Sequence, residues 1–339
     1  MNTFELKQKI KKVLPRSIVK LIAKYHVIQR EIMYRGKFKQ FGNLNDDKTF
    51  YVIRRRPPGG GFFSNFMFVM GHISIANNKG YIPVVDMENY HTFYSEDNVI
   101  VNTKNVWEYY YNQPSSYSLK EVYNSKNVCL SSMVFPRKSL ITRPNDGKLP
   151  SDIEIEKCNE IIRTQIVMKE NVLSFVTDKK NDLFSEKLKQ SAVGEGILGC
   201  LYRGTDYTVN KPYGHSIQPT VEELIEIVRK KRDEWDMEYV YLVTEEEKVV
   251  SAFKNAFAEK LICSNSMRHE TYEGKSKIPN VRFERENDRY ISGLEYLSDI
   301  VLLSECDSIV TTITCGAYVA LCYNGNKYLH KHIINLGIY

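Results

Sequence analysis

The second half of the chain alternates short apolar runs with amphipathic helical patterns, and this alternation constrains the fold more than any other feature. Residues 197–202 and 308–312 are predicted strands, with helical patterns between such runs. Alternating βα units form a parallel sheet with helices on both faces. The first half repeats the pattern, because residues 50–53 and 81–85 flank a predicted helix over residues 62–77. The sequence therefore predicts an α/β protein with two Rossmann-like domains whose parallel sheets face each other across a cleft.

The length of the chain agrees with two domains. A chain of 339 residues with 42% hydrophobic content is long enough for two separate cores. We predict a helical N-terminal segment over residues 1–45, an α/β domain over residues 46–193 and a second one over residues 194–339. No apolar run reaches the roughly eighteen residues of a membrane span, and the first twelve residues lack a signal-peptide pattern.

Cysteine usage predicts the compartment. The seven cysteines show neither paired nor C-x-x-C spacing. This pattern is typical of reduced thiols in the cytoplasm and does not favour a zinc site.

The N-terminal segment is strongly basic. Residues 1–40 hold eleven Lys and Arg against two Glu, a local charge of +9, whereas the whole chain carries +6. Apolar residues share one helical face: Leu14, Ile18, Leu21, Ile22, Tyr25, Ile28 and Ile32. Such a helix fits an anionic membrane surface, so we expect residues 4–35 to contact the inner face of the cell membrane. A helix docked on its own protein would show the same pattern.

Nucleic acid is not an expected partner. Outside the basic N-terminus the chain has a net charge of −3, and it contains no RNP, zinc-finger or helix-turn-helix signature.

Two loops follow predicted strands and carry ligand-binding residue types. Arg203 and Asp206 lie just past the strand over residues 197–202, at the sheet edge where ligands of parallel sheets bind. The guanidinium fork of arginine suits a diphosphate, although an Arg203–Asp206 ion pair that ties down the loop gives the same pattern. In the first half, Gly59, Gly60 and Gly61 would let backbone amides approach a ligand at a helix N-terminus. Their spacing matches neither G-x-G-x-x-G nor a P-loop, so a tight turn explains them equally well.

Four pieces in order resemble the fucosyltransferase superfamily of GT-B fold: the α1,6-, nodulation and protein O-fucosyltransferases, and especially bacterial members from surface-polysaccharide clusters. The first is the glycine loop with Asn65. The second, residues 201–206, is similar to the motif H-x-R-R-x-D, and the third, residues 241–246, to a strand ending in A-T-D-D. The fourth, residues 297–315, is similar to D-I-x-x-L-S-x-x-D-x-x-V-x-T-x-S-S. The resemblance covers about residues 50–325.

The resemblance implies roles for individual residues. It makes residues 46–193 the acceptor-side domain and residues 194–339 the nucleotide-sugar-binding domain. Catalytic roles fall on Arg203, Asp299 and Glu245. Donor-binding roles fall on Gly59, Gly60, Gly61, Asn65, Arg203, Asp206, Thr244, Asp299, Thr311, Thr312, Thr314 and Cys315. His215 lies outside the four pieces, and its place in the loop after Arg203 makes it a further candidate for donor binding.

Simpler explanations exist for several of these residues. The carboxylates of Glu245 and Glu246 would offset the dipole of a following helix. Asp299 would serve equally as a buried structural hydrogen-bonding group. The end of a strand alone would explain the threonines at 311, 312 and 314, and a lone histidine in a loop, such as His215, usually has no functional role.

The chain departs from the family motifs at four places. Leu201 stands where the motif has histidine, Gly204 replaces the second arginine, Glu245 and Glu246 are longer than the two aspartates of the motif, and Thr314–Cys315 replaces two serines. Loss of the histidine would change the contacts to the donor base, and hence the specificity for guanosine. Two alternatives therefore stay open: a transferase for another nucleotide sugar, and a non-catalytic protein that binds a glycan or nucleotide within a polysaccharide assembly complex.

The resemblance implies an inverting transfer from GDP-fucose, a substrate, without any cofactor. The acceptor would be a bacterial surface polysaccharide or its lipid-linked precursor. The chain has no D-x-D triplet to hold a divalent metal, so Arg203 would stabilise the departing diphosphate. A carboxylate, either Glu245 or Asp299, would take the proton of the acceptor hydroxyl.

Overall fold

A computed structural model describes residues 35–136, 150–185, 196–270 and 282–339. The strands of these residues form two sheets. The first, in the order β1-β4-β2-β3, contains β1 (Lys37–Lys39), β2 (Phe50–Ile53), β3 (Ile82–Val85) and β4 (Val128–Leu130). The second, in the order β7-β6-β5-β8-β9, contains β5 (Gly196–Tyr202), β6 (Met237–Thr244), β7 (Leu261–Cys263), β8 (Ser308–Thr312) and β9 (His330–Ile334).

Helices connect the strands of both sheets. In the first half they are α1 (Phe62–Asn78), α2 (Trp107–Tyr110), α3 (Leu119–Val122), α4 (Asp152–Gln165) and α5 (Glu170–Lys180). In the second half they are α6 (Thr205–Asn210), α7 (Val221–Glu234), α8 (Glu247–Phe257), α9 (Asp288–Ser304) and α10 (Cys315–Asn324). A π-helical turn, Asn181–Ser185, follows α5, and a 3₁₀ turn, Ala258–Lys260, follows α8.

The predicted α/β class is confirmed. The second sheet is parallel throughout, and in the first sheet β2 pairs in parallel with β3 and β4. The glycine loop after β2 and Arg203 after β5 line one cleft, so the two sheets face each other across it as expected. The first sheet differs in one respect, since β1 adds an antiparallel edge strand against β4.

The two halves share a core between the sheets. Buried side chains of α1, α2 and α4 form one apolar cluster with those of α9 and α10. Asn159 on α4 donates to the carbonyls of Cys322 and Tyr323 on α10, at 2.8 and 3.1 Å. The predicted division at residues 193–194 falls outside the described residues and stays a prediction.

Some predicted element boundaries are wrong. Residues 92–143 are rich in Tyr, Asn and turn signals, a pattern that predicts irregular loops and short helices, but β4 lies within them. The spacing of Ser292 and Glu295 predicts a capping box at the start of a helix, but α9 begins at Asp288, with Asn287 as its N-cap. The carboxylate of Glu295 instead receives two hydrogen bonds from Arg285, both of 2.8 Å. The same spacing at Thr220 and Glu223 predicts a capping box at the start of α7, and the structure contains it.

The predicted basic amphipathic helix lies almost wholly outside the described residues, which begin at residue 35. Within the described part of the chain, none of the helices combines the length and apolar character that crossing a membrane requires.

Candidate functional site

A cleft of about 410 Å³ separates the glycine loop from the carboxyl ends of β5, β6 and β8. This volume lies within the usual range for small-molecule sites. We call it the central cleft. Its walls include Gly60, Gly61, Phe62, Phe63, Ser64, Phe93 and Tyr94 from the first half, and Arg203, Tyr207, Asn210, Pro212, His215, Glu245, Tyr296, Thr314, Cys315 and Gly316 from the second.

A smaller space of about 70 Å³, the inner pocket, lies between the ends of β5 and β6 and the side of α9. Its lining includes Leu201, Thr244, Ser266, His269, Phe283 and Asp299. Four residues line both spaces: Tyr94, Arg203, Glu245 and Tyr296. These four side chains therefore stand where the central cleft meets the inner pocket, and a ligand that occupies both spaces must pass them.

Arg203 lies at this junction because β5 is a central strand, paired on both sides by parallel neighbours. Its Nη1 forms an ion pair with Oε2 of Glu245, and its guanidinium lies 5.6 Å from the centre of the Tyr207 ring. The Arg203 side chain is 15% exposed. A largely desolvated guanidinium at the carboxyl edge of a parallel sheet is a strong site for a phosphate group.

The three glutamates after β6 have separate cations. Glu245 pairs with Arg203, buried Glu246 with Lys248 at 2.9 Å, and Glu247 with Arg268 at 4.0 Å. Because Glu246 is the N-cap of α8, Glu245 precedes the helix and the carboxylate in the first helical turn is that of Glu247. The helix dipole therefore accounts for Glu247 and not for Glu245.

The glycine loop presents the N-terminus of α1 to the central cleft. Gly61 is the N-cap and provides no side-chain cap, while the Phe62 amide donates to the Tyr94 hydroxyl at 3.2 Å. Gly59 has a φ of +79° and does not line the cleft. Asn65 is buried away from the cleft and exchanges hydrogen bonds with the backbone of Gly60 at 3.0 and 3.1 Å. In this structure Asn65 shapes the loop.

The N-terminus of α10 faces the first across the cleft. Thr314 caps this helix by accepting from the Ala317 amide at 3.1 Å, and it lines the cleft together with Cys315. Thr311 and Thr312 are fully buried and do not line the cleft. Thr311 donates to the backbone carbonyl of Thr312 at 3.2 Å, and Thr312 donates to Gln218 at 2.8 Å.

Asp299 lines the inner pocket, and both of its carboxylate oxygens have partners. Lys179 of α5 approaches its Oδ1 at 2.8 Å, and Tyr241 donates to the same oxygen at 3.0 Å. Ser266 donates to Oδ2 at 3.1 Å. The side chains of the ion pair are only 12% and 9% exposed, so both charges are buried.

Three further predicted residues lie around this centre. His215 lines the central cleft, with its ring edge-on to Tyr207 at 5.0 Å. Thr244 lines the inner pocket, and its hydroxyl accepts from the Glu246 amide at 3.3 Å. Asp206 lies in the first turn of α6, and its side chain is outside the described part of the structure.

The structure adds residues that the sequence did not single out. Tyr296 lies one helical turn before Asp299 on α9, and this spacing was the signal that both share a face. His269 stacks on Phe283 at 4.9 Å in the inner pocket. Burial, followed by the nearby charge of Arg203, lowers the pKa of His269, so its ring is neutral at physiological pH. No sequence signal marked Tyr94, which reaches the site from an irregular loop.

Within the described residues, no three His, Cys, Asp or Glu side chains are grouped so as to hold a metal ion.

No family model and no curated protein matches the chain. Solved structures resemble it distantly. NodZ α-1,6-fucosyltransferase co-crystallized with GDP has a TM-score of 0.43 and 14% identity, over 86% of this chain and 95% of NodZ. NodZ soaked with GDP-fucose has a TM-score of 0.42 and 14% identity, over 80% and 91%. A variant of Arabidopsis thaliana FUT1 in complex with GDP has a TM-score of 0.44 and 11% identity, over 83% and 70%.

The buried ion pair makes a prediction for stability. Lys179→Met leaves the Asp299 carboxylate buried without its cation, so we expect the free energy of unfolding to fall by about 3–5 kcal/mol. Replacing both partners, as Lys179→Met with Asp299→Asn, should restore most of the loss. Urea denaturation followed by circular dichroism measures each value.

Lys180→Met is the matched control, because Lys180 pairs with Glu305 at the surface, where side-chain exposures are 47% and 38%. Such pairs contribute about 1 kcal/mol or less. Equal losses for the two lysine variants would contradict a structural role for the Lys179–Asp299 pair.

Proposed function

We propose that this protein is a glycosyltransferase that uses a nucleotide sugar, with GDP-fucose as the donor. The observation that carries the proposal is the position of Arg203, which lines the central cleft together with the N-termini of α1 and α10. Helix N-termini and a desolvated guanidinium all favour a multiply charged anion. A diphosphate bound here would extend its nucleoside and its sugar into adjacent spaces.

The proposed reaction is a displacement at the anomeric carbon of the sugar. The acceptor oxygen forms a bond to this carbon as the bond to the diphosphate oxygen breaks, which inverts the configuration. Arg203 and the two helix N-termini stabilise the charge that grows on the leaving diphosphate. In this proposal they replace a divalent metal, in line with the absence of a D-x-D triplet from the sequence.

The donor assignment rests on the sequence motifs. Leu201, which stands in place of the motif histidine, is buried and lines the inner pocket. An apolar side chain there makes no hydrogen bond to a base, and this observation favours a second candidate, a transferase for another nucleotide sugar. Thermal shift with GDP, UDP and TDP separates the two, because the ligand that binds most tightly raises the melting temperature most.

We further propose that the acceptor is a bacterial surface polysaccharide or its lipid-linked precursor, and that the basic N-terminal segment brings the cytoplasmic enzyme to the inner face of the cell membrane. The supporting observation is the +9 charge of residues 1–40 combined with their apolar stripe.

Arg203→Ala should abolish donor turnover while the fold is retained. Loss of the charge-assisted contact to the leaving group costs roughly 3 kcal/mol or more, on the order of a hundredfold in rate. Release of GDP from GDP-fucose measures turnover, and Arg229→Ala, an exposed arginine on α7, is the control. Near-normal release by the Arg203 variant would refute the proposed site, and no release by the natural protein with any nucleotide sugar would favour the non-catalytic alternative.

Excess EDTA should leave the rate of GDP release unchanged, because positive groups of the protein stabilise the leaving diphosphate in this proposal. The rate is measured before and after dialysis against chelator. A loss that magnesium or manganese restores would disprove metal independence.

Full-length protein should co-sediment with anionic vesicles, and a version that starts at Arg35 should not. Each Lys or Arg near an anionic surface contributes about 1 kcal/mol, and this attraction weakens with salt. The start at Arg35 keeps β1, which pairs with β4. A full-length control with Lys12, Arg16, Lys20 and Lys24 changed to Gln should bind weakly. Equal sedimentation of all three proteins would contradict the membrane proposal, and unfolding of the shortened protein would favour a helix docked on the protein.

A further inference from the structure

We propose that Glu245 is the general base of the transfer, and that the donor diphosphate frees it by drawing Arg203 away. The inference rests on the nucleotide-sugar transfer proposed above and identifies the carboxylate that the sequence left open between Glu245 and Asp299. It makes donor binding the event that switches on the base.

The first observation is the ion pair itself. Glu245 and Arg203 are in contact at the junction of the central cleft and the inner pocket, where their side chains are 27% and 15% exposed. Among the described residues, no other cation forms an ion pair with the Glu245 carboxylate. A guanidinium in direct contact with a carboxylate stabilises its charged form, so the paired Glu245 is a weak base.

The second observation is that Arg203 and Glu245 both line the central cleft, so a donor bound there would compete with Glu245 for the same guanidinium. A diphosphate carries more negative charge than a carboxylate and binds the arginine fork through two parallel hydrogen bonds. When Arg203 turns to the diphosphate, Glu245 loses its stabilising cation and becomes the stronger base. One arginine therefore restrains the base before donor binding and stabilises the leaving group after it.

The third observation removes the other candidate. Asp299 accepts hydrogen bonds from Tyr241 and Ser266 and forms an ion pair with Lys179. It does not line the central cleft. Both oxygens of Asp299 are therefore already occupied, and an acceptor in the central cleft does not contact them. Glu245 lines the cleft itself, beside the arginine that would hold the leaving group.

The proton and the electrons balance in a single displacement. The acceptor O–H gives its proton to a carboxylate oxygen of Glu245, and the oxygen forms its bond to the anomeric carbon. The electron pair of the broken carbon–oxygen bond leaves with the diphosphate, whose charge Arg203 compensates. Glu245 then releases the proton to water. When water replaces the acceptor, the same step is donor hydrolysis, which is measurable without knowing the acceptor.

The test compares Glu245→Gln with Glu247→Gln. Glutamine keeps the size of the side chain and removes its charge in both, but Glu247 pairs with Arg268 and does not line the cleft. Calorimetric titration gives the affinity for GDP, and GDP release from GDP-fucose gives the turnover number. We expect Glu245→Gln to bind GDP several-fold more tightly, because a competitor for Arg203 is gone. Its turnover should fall by on the order of 10² to 10⁴.

The pH profile separates a base from a structural residue. Turnover of the natural protein should decline at acidic pH as the base is protonated, and this decline should be missing from Glu245→Gln. Glu247→Gln should match the natural protein in affinity, turnover and pH profile.

Weaker GDP binding by Glu245→Gln, or turnover above a tenth of the natural value, overturns the inference. If this variant has a lowered melting temperature, Glu245→Asp is tested in its place. This variant should retain the decline of turnover at acidic pH and should bind GDP no more weakly than the natural protein. Loss of that decline in the Asp variant also overturns it. Failure of the natural protein to bind any nucleoside diphosphate refutes the proposed function instead, so the two failures are distinguishable.

Discussion

Helix α9 ties the two halves of this protein together, and the candidate site depends on that connection. At its N-terminal end, Tyr290 accepts a hydrogen bond from Tyr110 at 3.0 Å, and its amide donates to Glu96 at 3.0 Å. Two turns later the same helix presents Tyr296 and Asp299 to the inner pocket. A helix is stiff over this length, so the first half of the chain fixes the position of side chains that belong to the site of the second.

The sequence predicts the parallel core well and its margins poorly. The bounds of β2 and β8 are as expected, because each is a short apolar run between clear turn signals. Strands β1 and β4 have three residues each, too few for any periodicity, and their pairing with each other spans about ninety residues of sequence. The start of α9 was predicted wrongly for a related reason. Arg285 donates to the carboxylate of Glu295, which would otherwise have completed a local capping box.

Within the site, sequence reasoning predicts the groups that immediately follow strands. Arg203, Glu245 and Thr314 all lie where the strand pattern places them, at one edge of one sheet. It fails where a partner comes from a distant helix. The cation that neutralises Asp299 is Lys179, 120 residues earlier in the sequence. The local sequence around either residue does not indicate that the two form an ion pair. Likewise, Thr311 and Thr312 share the polar character of Thr314 but are buried on the two faces of strand β8.

Gly204 limits which side chains its position can accept. A Cβ atom at this position would overlap the carboxylate of Glu246 and come within 2.7 Å of the Tyr202 ring. An arginine at this position, as in the motif that the sequence resembles, cannot coexist with the present arrangement of Glu246. Any side chain at position 204 therefore requires the Glu246 carboxylate to move, which would disturb its ion pair with Lys248.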